Sequence, residues 1–178
     1  RFRVWLKNKY KTLDALNEAW WTAFWAHTYT DWSQLESPSS LGETSVHCQV
    51  IDWKRFNTDQ LVDFYKNEII PLRELTPDIP ITTNLMGLFP GVNYFEVGKH
   101  LDVVSWDSYP QWHGTLDDYD IACEAAFAHD LMRGTGDQKP FMLMESSPSA
   151  TNWRPITKLH RPNGHHLYSL QAVAHGAD

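Results

Sequence analysis

Three short runs constrain the fold of this chain more than any other feature: Pro80-Ile81-Thr82-Thr83-Asn84, Leu101-Asp102-Val103-Val104-Ser105-Trp106-Asp107 and Phe141-Met142-Leu143-Met144-Glu145. Each is largely β-branched or apolar and ends in a polar side chain. Strands apolar on both faces belong to buried parallel sheets, whose crossover helices cover both sides. Helical patterns separate the runs here, over Val92 to His100 and over Ile121 to Arg133, the latter stopped by Gly134. The reading is an α/β fold with a parallel sheet. In a (β/α)8 barrel the carboxyl ends of the strands, here Asn84, Asp107 and Glu145, converge on the active site. A doubly wound sheet also binds ligands at strand carboxyl ends. No Gly-rich phosphate loop follows any run, so its nucleotide-binding version loses its main support.

The remaining segments fit around this frame. Phe2, Trp5, Leu6 and Tyr10 share one face of an opening helix, and Thr12 caps a second whose apolar face is Leu13, Leu16 and Trp20. Trp21 to Tyr29 is aromatic without a period and reads as a loop, and Ser33 to Gln49 reads as a connection. Phe56, Leu61, Tyr65, Ile69, Leu72 and Leu75 mark a long helix, kinked at Pro71. A last helix spans His165 to His175.

With 178 residues, 42% of them hydrophobic, the chain has material for a core, which excludes disorder. A formal charge of −7 opposes a nucleic-acid partner, which needs a basic face. No apolar run approaches the roughly 20 residues that span a bilayer, and Arg1-Phe2-Arg3-Val4-Trp5 lacks a signal peptide's apolar stretch. Two cysteines do not make a disulfide scaffold, and the expected location is cytoplasmic. The chain lacks an initiator Met and opens within a helical pattern, as an internal piece of a longer protein would.

Glu145 is the foremost candidate for chemistry. A carboxylate after Phe-Met-Leu-Met is costly to bury unless something uses or pairs it, so it serves either a site or an ion pair with an Arg. Trp25, Trp106, Tyr109, Trp112 and Trp153 offer flat faces suited to sugar rings, although most of the nine Trp belong to a core. Trp25 and Trp153 stand in polar, loop-like surroundings. His47-Cys48 and His165-His166 lack ligand spacing, so no metal is expected, and no Gly-x-Ser-x-Gly elbow supports a nucleophilic serine.

Longer motifs carry a resemblance. Leu16-Asn17-Glu18-Ala19-Trp20, Thr22-Ala23-Phe24-Trp25, Lys54-Arg55-Phe56, Thr76 to Asn84, Asp102 to Pro110 and Gln171 to Asp178 resemble the β-galactosidases of glycoside hydrolase family 42, in order and along the whole chain. The resemblance implies part of a (β/α)8 TIM barrel, from the helix after strand 4 to just before strand 8. It makes residues 1–178 a partial catalytic domain. It further implies retaining hydrolysis of terminal β-D-galactosides, no cofactor, and an intact enzyme that forms homotrimers. Glu145 takes the place of the nucleophile, Trp25 and Trp153 match aromatics lining the galactose pocket, and Asp107 and Tyr109 match the end of the sixth strand. The family's acid/base Glu, in an Asn-Glu pair ending strand 4, falls before Arg1; Asn17-Glu18 and Asn67-Glu68 lie inside helical patterns and do not replace it. Trp21 stands where relatives have Gly, and Gln111 to Gly114 departs from the usual loop. Two rival readings are a clan-related β-mannanase or β-glucanase and a non-catalytic carbohydrate-binding fragment.

Overall fold

The computed structural model describes residues 1–39, 46–110, 117–151, 155 and 159–178, with the side chain of Trp25 also left undescribed. The chain divides into two compact units, Arg1–Phe64 with Gly91–Asn93, and Tyr65–Pro90 with Tyr94–Asp178.

The first unit is helical. Helix α1 (Phe2–Tyr10) buries Phe2 and Leu6, and α2 (Leu13–Trp20) buries Leu16 and Trp20. The Thr12 hydroxyl accepts from the Ala15 N–H at 3.2 Å, as its capping position predicts. Within the aromatic segment that follows, Thr22–Trp25 forms a 3-10 turn, and a second, Trp32–Gln34, comes after it. Asp31 and Gln34 close the second as a capping box. Helix α3 (His47–Leu75) starts well before the apolar pattern does, inside the stretch read as a connection. The cause is that its first inward residues, Gln49 and Asp52, are polar yet fully buried. Asp52 accepts hydrogen bonds from Lys9, from Tyr10 (2.6 Å), from Trp20 (3.0 Å) and from Arg55 (3.0 Å), tying α1 and α2 to α3. Burial alone would raise the Asp52 carboxyl, but these four donors outweigh it and hold it below the usual carboxylate range. Phe2, Trp53 and Phe56 pack beside this network with ring centroids 5.0 to 5.3 Å apart.

The second unit holds a three-stranded parallel sheet in the order β1 (Asn84–Leu85), β2 (Ser105–Ser108), β3 (Met142–Ser146). Helix α3 runs through Pro71 to Leu75, α4 (Tyr94–Gly98) precedes β2, α5 (Asp118–Thr135) joins β2 to β3, and α6 (Gly164–Ala174) follows β3. Only the last residue of the run Pro80 to Asn84 enters the ladder. Side chains satisfy the backbone before it: the Ile81 N–H donates to the Asp102 carboxylate (2.6 Å) and Thr82 Oγ1 to the Val103 carbonyl (2.5 Å). Trp106, Ile121, Ala125, Ala128, Met132, Phe141, Tyr168 and Ala172 are buried between sheet and helices. Met142 and Met144 of β3 are exposed, so among the described residues this strand is not covered on both faces. Among the described residues no helix is long and apolar enough to cross a membrane.

Candidate active site

Three carboxyl-end residues meet on one face of the sheet. Parallel partners share a face, and alternation along β2 puts Trp106 against the His129 ring of α5 and turns Asp107 to the opposite side. Plain alternation along β3 would leave Glu145 on the helix side, because Leu143 pairs with Trp106. The register instead shifts between Trp106 and Asp107, so that Met144 is passed over and Asp107 pairs with Glu145. One extra residue reverses the alternation. Glu145 therefore comes to the face of Asp107, where the Tyr109 hydroxyl donates a hydrogen bond to Glu145 Oε2.

The electrostatics follow from this crowding. Asp107 is raised above the ordinary carboxylate value, chiefly by burial and then by the negative charge of Glu145, while a hydrogen bond from Asn84 Nδ2 to Oδ2 works the other way. The second oxygen, Oδ1, is buried without a partner among the described residues. The hydrogen bond to Glu145 first, burial second and the nearby carboxylates third push the Tyr109 hydroxyl up to about 12. It stays protonated, and a donor, across the neutral range. A cavity of about 410 Å³ at the end of β2 is walled on the helix side by Met86, Leu88, Trp106, Ile121, Ala125 and Ala128, and Glu145 does not line it.

Of the residues singled out in the sequence, the structure places Glu145, Asp107 and Tyr109 beside one another. Glu145 is exposed rather than buried, and the hydrogen-bond partner found for it is a tyrosine, not an arginine. Asn84, noted only as a strand end, proves to be the donor to Asp107; its position level with the other two ends was the available signal. Trp153 and Trp112 lie outside the described residues, and of Trp25 only the backbone is described, closing the first 3-10 turn.

A parallel sheet flanked by helices, with polar side chains at its strand carboxyl ends, matches part of an α/β barrel. The chain belongs to glycoside hydrolase family 42, whose model, described as β-galactosidase, matches residues 1–178. It is 60% identical over 177 residues to the β-galactosidase BglY of Alicyclobacillus acidocaldarius and 52% identical over 185 residues to GanA of Bacillus subtilis. These alignments cover 99% of this chain but only 26% and 27% of those relatives. Among solved structures, the cold-adapted β-galactosidase of Rahnella sp. R3 superposes with a TM-score of 0.93 at 57% identity, over 99% of this chain and 26% of that one. Gan42B, a family 42 β-galactosidase, superposes at 0.91 with 54% identity, over 99% of this chain and 27% of that one. The chain spans about a quarter of the length of these relatives.

Proposed function

We propose that the protein containing this chain is a retaining β-galactosidase with Glu145 as its nucleophile. The observation that carries the reading is the register shift that turns Glu145 onto the face of Asp107 and Tyr109. The Glu145 carboxylate attacks the anomeric carbon of a terminal β-galactosyl unit while the bond to the leaving oxygen breaks, and that oxygen takes a proton from a second carboxylic acid. The galactosyl ester so formed is hydrolysed by water, which gives its proton back to the second group as the configuration is restored. The second carboxyl group is the strand-4 Glu, placed by the family resemblance before Arg1. β1, β2 and β3 are then the fifth, sixth and seventh barrel strands, and residues 1–178 are part of one catalytic domain. Tyr109 orients Glu145, and Asp107, itself held by the Asn84 side chain, is a substrate-binding residue beside it. The pocket roles of Trp25 and Trp153, a homotrimeric assembly and a cytoplasmic location rest on the resemblance and the sequence reading alone. A relative solved as a catalytic Glu-to-Ala mutant supports a glutamate as a catalytic group.

The test is to treat the full-length protein with a 2-fluoro galactosyl inhibitor bearing a good leaving group, and to map the labelled peptide. A label on Glu145 is expected, and a label on any other carboxylate refutes the assignment. Glu145→Gln is expected to lower kcat by about three orders of magnitude or more. Preference for mannan over aryl β-galactosides would favour the β-mannanase rival.

A further inference from the structure

The register shift that aims Glu145 also leaves the segment bearing the site weakly tied. Beyond the passed-over Met144, β2 and β3 share, among the described residues, the pairs Asp107–Glu145 and Ser108–Ser146, and Tyr109 lies past the end of the strand. Strand ends with so few ladder bonds open readily unless side chains hold them. Tyr168 of α6 reaches this segment from the helix side. Its hydroxyl donates to Ser108 Oγ, and the two residues are only 2% and 3% exposed. Burial pushes the Tyr168 hydroxyl up to about 12, so it remains a donor at any working pH. Ser108 sits between Asp107 and Tyr109 in sequence, with its side chain toward the helices while theirs point to the site.

We propose that Tyr168 is a positioning residue for the glycosidase reaction: through Ser108 it fixes the end of β2, and so sets where Tyr109 holds the Glu145 carboxylate. The proposal rests on the reading of Glu145 as nucleophile. Removing the hydroxyl leaves Ser108 Oγ buried without its donor and frees the strand end, and displacements of about 1 Å at a reacting group can cost up to 10²-fold in rate.

The experiment uses the full-length protein, with active sites counted by the fluorinated galactosyl inhibitor so that misfolded molecules do not enter kcat. Tyr168→Phe keeps the buried ring and is expected to lower kcat about tenfold while KM moves less than about twofold. Ser108→Ala, made in case the first variant folds poorly, is expected to act in the same direction. In a Tyr109→Phe background, Tyr168→Phe is expected to cost less than about twofold further, since both changes act on the same carboxylate. An unchanged kcat in both single variants overturns the proposal, and so does a full tenfold loss that persists without the Tyr109 hydroxyl. Peptide mapping separates the two levels. A Glu145 label with kcat unaffected by Tyr168→Phe refutes the positioning role alone, whereas a label elsewhere refutes the nucleophile reading and the positioning role with it.

Discussion

His129 offers a direct measure of how α5 is held against the sheet. It is 0% exposed, edge-on to Trp106 of β2 at 5.1 Å between ring centroids and stacked on Phe141 at 5.3 Å, with Tyr168 and His175 beyond at 5.9 and 6.1 Å. Neither ring nitrogen has a hydrogen-bond partner among the described residues. Burial lowers its pKa to about 4, the neighbouring His175 adds to the effect, and Asp130 opposes it. An unfolded histidine titrates near 6.5. With the folded value depressed, the opened state binds the extra proton, so this contribution is intact above about pH 6.5 and is lost as the pH falls toward 4. By pH 5 the loss amounts to about 2 kcal/mol, roughly a thirtyfold change in the opening equilibrium. His129→Leu removes the titration and two unsatisfied nitrogens while keeping an apolar side chain, so its stability at pH 7.5 is expected within about 1 kcal/mol of the parent. Hydrogen exchange of the α5 amides in the full-length protein, corrected for the intrinsic rate at each pH, reads the difference. Between pH 7.5 and 5 the parent should lose about thirtyfold more protection than His129→Leu. Equal pH dependence in the two proteins would mean that His129 binds its proton equally well in the native and opened states, which would refute the argument.

Two further expectations concern the first unit. Asp52→Ala leaves donors on α1, α2 and α3 without their shared acceptor and is expected to destabilise this unit by about 3 kcal/mol, read as lost amide protection in α2. Because the Asp52 carboxyl is held low in the fold, its contribution is present above the ordinary carboxylate value and disappears as the pH falls below it. Trp21 ends α2 in the left-handed region, at φ 52°, with a ring 69% exposed that stacks on Phe24 at 4.9 Å. Trp21→Gly relieves a backbone cost of about 1 kcal/mol and loses only a solvent-exposed stack, so a small rise in melting temperature is expected, and a clear fall would show that the stack dominates.

What could be read from the sequence was whatever a short stretch of chain dictates to itself. The runs ending in Asn84, Asp107 and Glu145 carry their β character and polar ends locally, and Thr12 caps the helix beside it wherever that helix packs. The parallel order followed because helical patterns separate the runs and leave room for crossovers. The family motifs likewise lie in contiguous residues. The start of α3 was hidden, because Gln49 donates to the Glu36 carbonyl and Asp52 accepts from Lys9, Tyr10 and Trp20, all distant in sequence, and buried polar residues with distant partners erase the apolar period that marks a helix. The facing of Glu145 was hidden for a deeper reason. Alternation within Phe141 to Glu145 puts that carboxylate on the helix side, and only the pairing of β3 with β2, with Met144 passed over, turns it toward Asp107 and Tyr109. Which residue a strand skips depends on hydrogen bonds to a neighbour about 40 residues away and on how Trp106, His129 and Tyr168 pack behind the sheet. The residue types of the site are therefore written in the sequence, while their meeting on one face is a product of strand register, which exists only once the chain has folded.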